Sequence, residues 1–186
     1  MVRDAGFESD TGGSTGPFPQ ASAWGGECKL ALHTTFPKGG NSALGNNFAF
    51  TNPGSADGPA TQTISTAYQA NTTYTFKGYA VSSGNATDIR FILGYGGGGG
   101  FVQLAEQTYD LNGVTAWTEQ DGVSFITGAS GAELGENIIV RIAAVGLGGN
   151  GIWFDAVSLE ATAVPEPSAA ALLGLGGLAL VLRRRK

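Results

Sequence analysis

Few residues in this chain could do chemistry, and their types narrow the choice at once. There is one histidine, His33, and one cysteine, Cys28. A lone imidazole cannot assemble a zinc site. Cys28 has neither a matching base nor a partner for an intrachain disulfide, and no serine sits in the strained strand-to-helix turn that presents a nucleophile. Carboxylates remain. Glu106, Asp110, Glu119 and Asp121 lie close together in sequence, and glycoside hydrolysis asks for only two carboxyl groups. Their neighbours Gln107, Thr108, Asn112 and Gln120 make this stretch read as strand ends and a loop. A solvated polar face is the expected explanation, and no catalysis is expected of it.

Asp155 differs because it interrupts an apolar run, Ile152 to Leu159. A period of two puts it on the face of Trp153, Val157 and Leu159, the face expected to turn inward. An ionised carboxylate there needs a partner. Calcium, held also by backbone oxygens, would satisfy it; so would hydrogen bonds from backbone amides or a basic side chain such as Arg141. Both readings stand, since no Asp-x-Asp-x-Asp-Gly loop is present to decide. The remaining candidates are rings. Tyr95 and Phe101 flank five successive glycines, Gly96 to Gly100, and Trp24 lies in a stretch rich in Gly, Pro and Ser. Rings exposed near loops can stack on sugar faces, so Trp24, Tyr95 and Phe101 are the candidate ligand contacts. Trp117 and Trp153 sit in apolar strand contexts and are expected in the core. The glycine run lacks the following helix and the Lys-Ser/Thr of a phosphate loop, and reads as a hairpin connection.

These residues must be positioned by strands. Gly accounts for 31 of 186 residues and charged residues for 13%, a composition poor in helix formers and rich in turn formers. Nine short runs are expected as strands: 28–36, 47–51, 62–68, 73–81, 88–95, 101–108, 122–126, 138–145 and 151–160. Thr73 to Gly78 shows the alternation, with Tyr74 and Phe76 on one face and Thr75 and Lys77 on the other. Asn71-Thr72, Ser83-Gly84-Asn85, Asn112-Gly113 and Gly148 to Gly151 supply turns. Strands this short, with no alternating helices, imply two packed antiparallel sheets in one domain, residues 1–162.

Three segments carry a resemblance: Gly6-Phe7-Glu8, with a strand-like start at Ala5; Gln62-Thr63-Ile64 followed by Asn71 to Phe76; and Ile152 to Leu159. They resemble the galactose-binding-like jelly rolls found in many carbohydrate-binding modules, over most of residues 5–161. The resemblance implies an all-β, antiparallel jelly-roll β-sandwich. It also implies that the first and last strands lie close and share a structural calcium, a role that falls here to Glu8 and Asp155.

The carboxyl end reads as an address. Val164-Pro165-Glu166-Pro167 cannot continue a strand or helix, since each proline fixes φ and removes an amide donor. A Pro-rich hinge is therefore expected over 163–168. The uncharged run 169–182 follows, expected as a short transmembrane helix, with a basic cytoplasmic stop of Arg183, Arg184, Arg185 and Lys186. As a helix that run reaches about 21 Å, short of the roughly 30 Å hydrocarbon core, so it suits a transient span better than a durable anchor. Hinge, short span and basic end in this order resemble the PEP-CTERM sorting signal of Gram-negative, polysaccharide-producing bacteria, with Pro165-Glu166-Pro167 as the motif. The resemblance implies export, recognition by an exosortase-type membrane protease, and transfer to the cell surface or extracellular matrix. Residues 1–6 contain no apolar segment of the kind that directs export; a signal peptide encoded upstream is expected.

The whole chain carries a formal charge of −5, and removal of the tail with its four cations leaves a more acidic body. No basic stripe is present, which argues against nucleic acid as a partner. The combined expectation is an exported surface or matrix protein whose non-catalytic sandwich binds polysaccharide. A structural or adhesive surface protein without a small ligand is the main alternative, and a polysaccharide-degrading enzyme the lesser one.

Overall fold

A computed structural model describes residues 23–26, 28–32, 45, 47–53, 58–82, 86–146 and 151–165. His33, the Ala5–Glu8 strand with Glu8, the Glu166 and Pro167 of the motif, the apolar run 169–182 and the basic stop Arg183–Lys186 lie outside these residues. Among the described residues no helix is long and apolar enough to cross a membrane.

The described residues form nine strands in the order expected: β1 (Lys29–Leu32), β2 (Asn47–Thr51), β3 (Ala60–Ala67), β4 (Thr72–Ser82), β5 (Ala86–Gly97), β6 (Gly100–Asp110), β7 (Thr118–Ile126), β8 (Asn137–Gly146) and β9 (Ile152–Ala163). They build two antiparallel sheets, one ordered β1-β2-β9-β4-β7 and the other β3-β8-β5-β6. β7 begins at Thr118, earlier than its composition suggests, because Thr118, Glu119 and Gln120 find backbone partners in Ala80, Tyr79 and Gly78. Pairing with β4 overrides their polar character.

Alternation decides what fills the space between the sheets. Tyr74 and Phe76 of β4, Ile89, Phe91 and Leu93 of β5, Ile138, Val140 and Ile142 of β8 and Phe154 of β9 are buried together. The rings meet edge to face: Phe76 and Phe91 at 5.4 Å between the two sheets, Phe91 and Tyr109 at 6.1 Å within the four-stranded one, and Tyr68 and Tyr74 at 4.8 Å. Such pairs contribute about 0.5–1.5 kcal/mol each beyond burial of their area. β9 closes on β4 down to Ala163 opposite Thr72, and the Val164 amide donates to the Asn71 carbonyl at 2.7 Å. Pro165, the next residue, is exposed.

One irregularity changes which side chains share a face. Along β9, Lys77 pairs with Ser158 and Tyr79 with Asp155, so Ala156 and Val157 together stand opposite Gly78. This is a β-bulge. Ala156 takes a positive φ of 45°, and a side chain on Gly78 would lie 2.6 Å from a Val157 methyl. The extra residue reverses the alternation. Phe154 before the bulge and Val157 after it both enter the core, which separates Val157 from Trp153. The expected common face of Trp153, Asp155, Val157 and Leu159 is therefore corrected: Trp153 turns to the outer side of the five-stranded sheet. There it packs on Phe48 at 4.7 Å, and Trp117 reaches the same ring at 5.6 Å. The two tryptophans are half-buried in this outer cluster, not in the core where their apolar context placed them.

Candidate functional site

The hairpin formed by β5 and β6 carries the site. Gly97 pairs with Gly100 across Gly98 and Gly99, so the glycine run makes a tight turn as expected. Tyr95 and Phe101 do not cooperate there. In β5, Ile89, Phe91, Leu93 and Tyr95 fall on the inner side and Arg90, Ile92, Gly94 and Gly96 on the outer. Tyr95 pairs with Val102 and packs against the core, while Phe101 stands opposite Gly96 on the outer face. Tyr95, expected as an exposed ligand contact, is therefore corrected: it is half-buried against the core. Trp24 is corrected as well: it is 4% exposed and packs edge to face on Phe154 at 6.2 Å. Its irregular, glycine-rich neighbourhood suggested a surface loop, but Gly25 pairs with Thr61 through two backbone hydrogen bonds of 2.7 and 2.9 Å and draws the ring inward.

Phe101 thus remains as the ring available for a ligand, and its surroundings define a candidate binding face on the outside of the β3-β8-β5-β6 sheet. The ring lies over Gly94. A Cβ at that position would sit 2.5 Å from two Phe101 ring carbons and against the Val102 carbonyl oxygen, so only glycine leaves room. From below, the buried Tyr68 hydroxyl donates to the Gly94 carbonyl at 3.2 Å. Burial, reinforced by the nearby Tyr74 and Glu133, pushes the Tyr68 phenol well above its usual range and keeps it protonated. On the ring itself sits Arg141 of β8, its guanidinium carbon 3.6 Å from the Phe101 centroid. That is a close cation–π stack. Desolvation lowers the Arg141 guanidinium from its ordinary value, although a guanidinium remains charged at any physiological pH.

Strand register lays out the rest of the face. One row runs from Thr61 on β3 through Arg141 and Ile92 to Glu106 on β6; the adjacent row runs through Ala143 and Arg90 to Thr108. Arg90 pairs with Glu106 at 3.5 Å. Beside Arg90 opens a cavity of about 190 Å³ lined by Thr51, Asn52, Gly58, Pro59, Ala143 and Ala144. Hydroxyls, guanidinium groups, one carboxylate and one aromatic ring are thereby arrayed along a single sheet surface. Sequence reasoning missed Arg141, Arg90 and Gly94 as members of this face. An isolated glycine inside a strand was the one signal available, because it marks close approach by another group.

The four carboxylates weighed for hydrolysis do not converge. Glu106 is engaged with Arg90 on the outside of the four-stranded sheet. Glu119 meets Lys77 at 3.7 Å and the Tyr79 hydroxyl at 3.4 Å on the outside of the other sheet. Asp110 accepts the Asn112 amide at 2.7 Å in a turn, and Asp121 lies near the Tyr109 hydroxyl. Asp155 is fully buried and accepts the Ala156 amide at 2.7 Å through Oδ1. Arg141 is not its partner, being stacked on Phe101 in the opposite sheet. Among the described residues no group of three or more His, Cys, Asp or Glu side chains comes together to hold a metal. Asp155 offers one buried carboxylate for calcium, and its expected companion Glu8 lies outside the described residues.

Comparison with known proteins bears on both ends of the chain. The PEP-CTERM protein-sorting motif matches residues 163–186. No curated protein matches by sequence. Among solved structures, a Stig cyclase from Fischerella sp. TAU, in complex with (3Z)-3-(1-methyl-2-pyrrolidinylidene)-3H-indole, is similar at 19% identity and a TM-score of 0.66, over 89% of this chain and 98% of that one. A CBM4 carbohydrate-binding module is similar at 14% identity and a TM-score of 0.53, over 87% and 100%. The N-terminal CBM22 tandem domain of Paenibacillus barcinonensis Xyn10C is similar at 13% identity and a TM-score of 0.51, over 83% and 44%. At these identities the likeness is one of fold. The chain is an all-β sandwich of the jelly-roll kind seen in carbohydrate-binding modules, ending in a PEP-CTERM protein-sorting motif that marks it for export.

Proposed function

We propose that this is an exported surface or matrix protein whose sandwich binds extracellular polysaccharide, without catalysis, on the outer face of the β3-β8-β5-β6 sheet. The observation that carries the reading is the Phe101 ring held over Gly94 against Arg141, with Thr61 next to Arg141 in register and Arg90 farther along the same face. An apolar ring edge flanked by fixed hydrogen-bonding groups suits a polyhydroxylated ligand, and an open sheet surface suits a chain rather than a small molecule. The dispersal of Glu106, Asp110, Glu119 and Asp121 supports a binding role over a hydrolytic one, since hydrolysis requires two carboxyl groups flanking one bond. The sorting motif supports delivery to where such polymers lie: an exosortase-type membrane protease recognises Pro165-Glu166-Pro167, the run 169–182 inserts as a transient span, and Arg183–Lys186 hold the cytoplasmic side. Calcium at Asp155 is proposed as a structural ion tying β9 to the amino-terminal segment; it takes no part in ligand binding.

Affinity electrophoresis of the full chain, in mild detergent, through gels carrying a panel of polysaccharides tests the reading. Retardation by at least one polymer, abolished by Phe101→Ala and spared by Lys77→Gln, is the expected result. Unretarded migration on every gel would leave a structural or adhesive surface protein as the better description, and release of reducing ends would make it an enzyme.

A further inference from the structure

Arg141 is the unusual charge on this face. Lys77 and Arg90 each meet a carboxylate at 3.5–3.7 Å, whereas Arg141 meets none among the described residues. Its Nε is buried without a hydrogen-bond partner, so the ring stack, and no polar contact, fixes the guanidinium. Glu106 lies in the same row of the sheet, two strands over, about 10 Å away at ordinary strand spacing. It turns to Arg90 instead. The closer neighbours of Arg141 in register are Thr61 and Ile92, neither of them an anion. A partly desolvated cation that meets no counter-ion among the described residues, in a chain of net charge −5, is electrostatically incomplete there.

We propose that Arg141, stacked on Phe101 above Gly94, is the receptor for a carboxylate of the ligand, so that the polysaccharide bound here is acidic, with uronate residues. This rests on the glycan-binding reading and specifies its substrate class. With its central carbon 3.6 Å from the Phe101 centroid, the guanidinium is confined over the ring, and its planar fork of terminal N–H groups can take a carboxylate through two parallel hydrogen bonds. The outward edge of the Phe101 ring then borders the apolar face of the sugar, and the Thr61 hydroxyl, which donates to the Pro59 carbonyl at 2.9 Å, is placed to accept from a sugar hydroxyl at its edge. A polypeptide carboxylate could reach the same guanidinium, but the threonines and the open sheet surface suit a hydroxyl-rich chain.

Isothermal titration of the full chain, in mild detergent, decides the matter with five probes: polygalacturonate, alginate, methyl-esterified polygalacturonate, a neutral β-glucan and poly-glutamate. Binding to polygalacturonate or alginate is expected, weakening at least about tenfold on esterification. Arg141→Gln should cost the same factor, as removal of a charge-assisted hydrogen bond does. Arg141→Lys, which keeps the charge but not the planar fork, should lose most of that affinity while its melting temperature reports an intact fold. Equal affinity for the esterified and free polymers, or unchanged affinity in both Arg141 variants, overturns the uronate assignment and leaves glycan binding standing. Binding of the neutral glucan alone does the same. Poly-glutamate binding as tight as the uronates overturns a glycan-specific receptor, and binding of no polysaccharide overturns the glycan reading together with this inference.

Discussion

The two outer faces of the sandwich solve the same electrostatic problem in opposite ways. On the five-stranded sheet, Lys77 bridges Glu160 at 3.5 Å and Glu119 at 3.7 Å, Glu119 also meets the Tyr79 hydroxyl, and Thr75 and Ser124 hydrogen-bond at 2.9 Å. Each of these polar groups is answered by a neighbour. On the four-stranded sheet, Arg90 is answered by Glu106 but Arg141 lies on a ring. The closed network is what a solvent-facing surface forms by itself. The open one requires a ring, a glycine beneath it and a buried tyrosine beneath that, an amount of positioning that surface solvation does not call for. Mutual satisfaction thus characterises the five-stranded face, and a cation that meets no carboxylate among the described residues characterises the face proposed for binding.

Breaking the floor of the binding face should have the largest effect. Gly94→Val drives a side chain into the Phe101 ring. Overpacking of this kind costs about 1–3 kcal/mol, which in a domain of this size lowers the melting temperature by roughly 2–10 °C. Polysaccharide binding should be lost with it, as calorimetry and gel retardation would record. A variant that melts normally and still binds would show that the ring is not held in place by Gly94.

Asp155→Ala should come next. It strips a fully buried acceptor from the Ala156 amide, a loss of about 1–3 kcal/mol, and should leave polysaccharide affinity unchanged because Asp155 is remote from the binding face. It also separates the two readings of that carboxylate. If calcium binds the folded state alone, a hundredfold excess over its dissociation constant adds about 2.7 kcal/mol to the wild type and nothing to the variant. A wild-type melting temperature indifferent to calcium and to chelator assigns Asp155 to hydrogen bonding.

Tyr68→Phe should act mildly at neutral pH and visibly in alkali. Desolvation raises the Tyr68 phenol above its ordinary 10.0 in the folded state. Above that pH the unfolded chain releases a proton that the folded chain retains, so this stabilisation is complete below pH 10 and drains away as pH rises further. Removing the hydroxyl should cost about 1 kcal/mol near neutrality through the lost bond to Gly94, and should flatten the alkaline limb of the melting profile. An unchanged alkaline limb would mean that Tyr68 titrates normally.

Lys77→Gln should have the smallest effect of all. Glu160 first, and then Glu119, raise the Lys77 pKa, so whatever this exposed pair contributes is present at neutral pH and fades only above the ordinary lysine range. Titration of the variant with polysaccharide should match the wild type. Weakened binding would erase the distinction between the two faces.

Much of the fold was legible because its strands alternate. Tyr74 and Phe76 against Thr75 and Lys77 fixed an inner and an outer side for β4, and the runs around 88–95 and 138–145 were recognisable as strands. The bulge was not legible. Two residues opposite one is a property of the pairing between β9 and Gly78, and a simple period of two carried Trp153 and Val157 onto the same face. The ring of the binding face was found by its position beside the glycines, whereas its guanidinium was not: Phe101 and Arg141 meet only because β8 lies beside β5 and β5 beside β6, an order that no local pattern encodes. Trp24 failed for the converse reason, since a glycine-rich stretch reads as a loop whether or not its backbone pairs with a neighbouring strand.

Hydrogen–deuterium exchange of the full chain, with and without the polysaccharide that retards it most, tests the assignment of the binding face most directly. Slowed exchange is expected along Gly94–Gln103 of the β5–β6 hairpin and around Arg141 on β8, with β4 and β7 unaffected. Protection centred on Lys77, Tyr79 and Glu119 instead, with none at the hairpin, would place the ligand on the closed face and contradict the assignment.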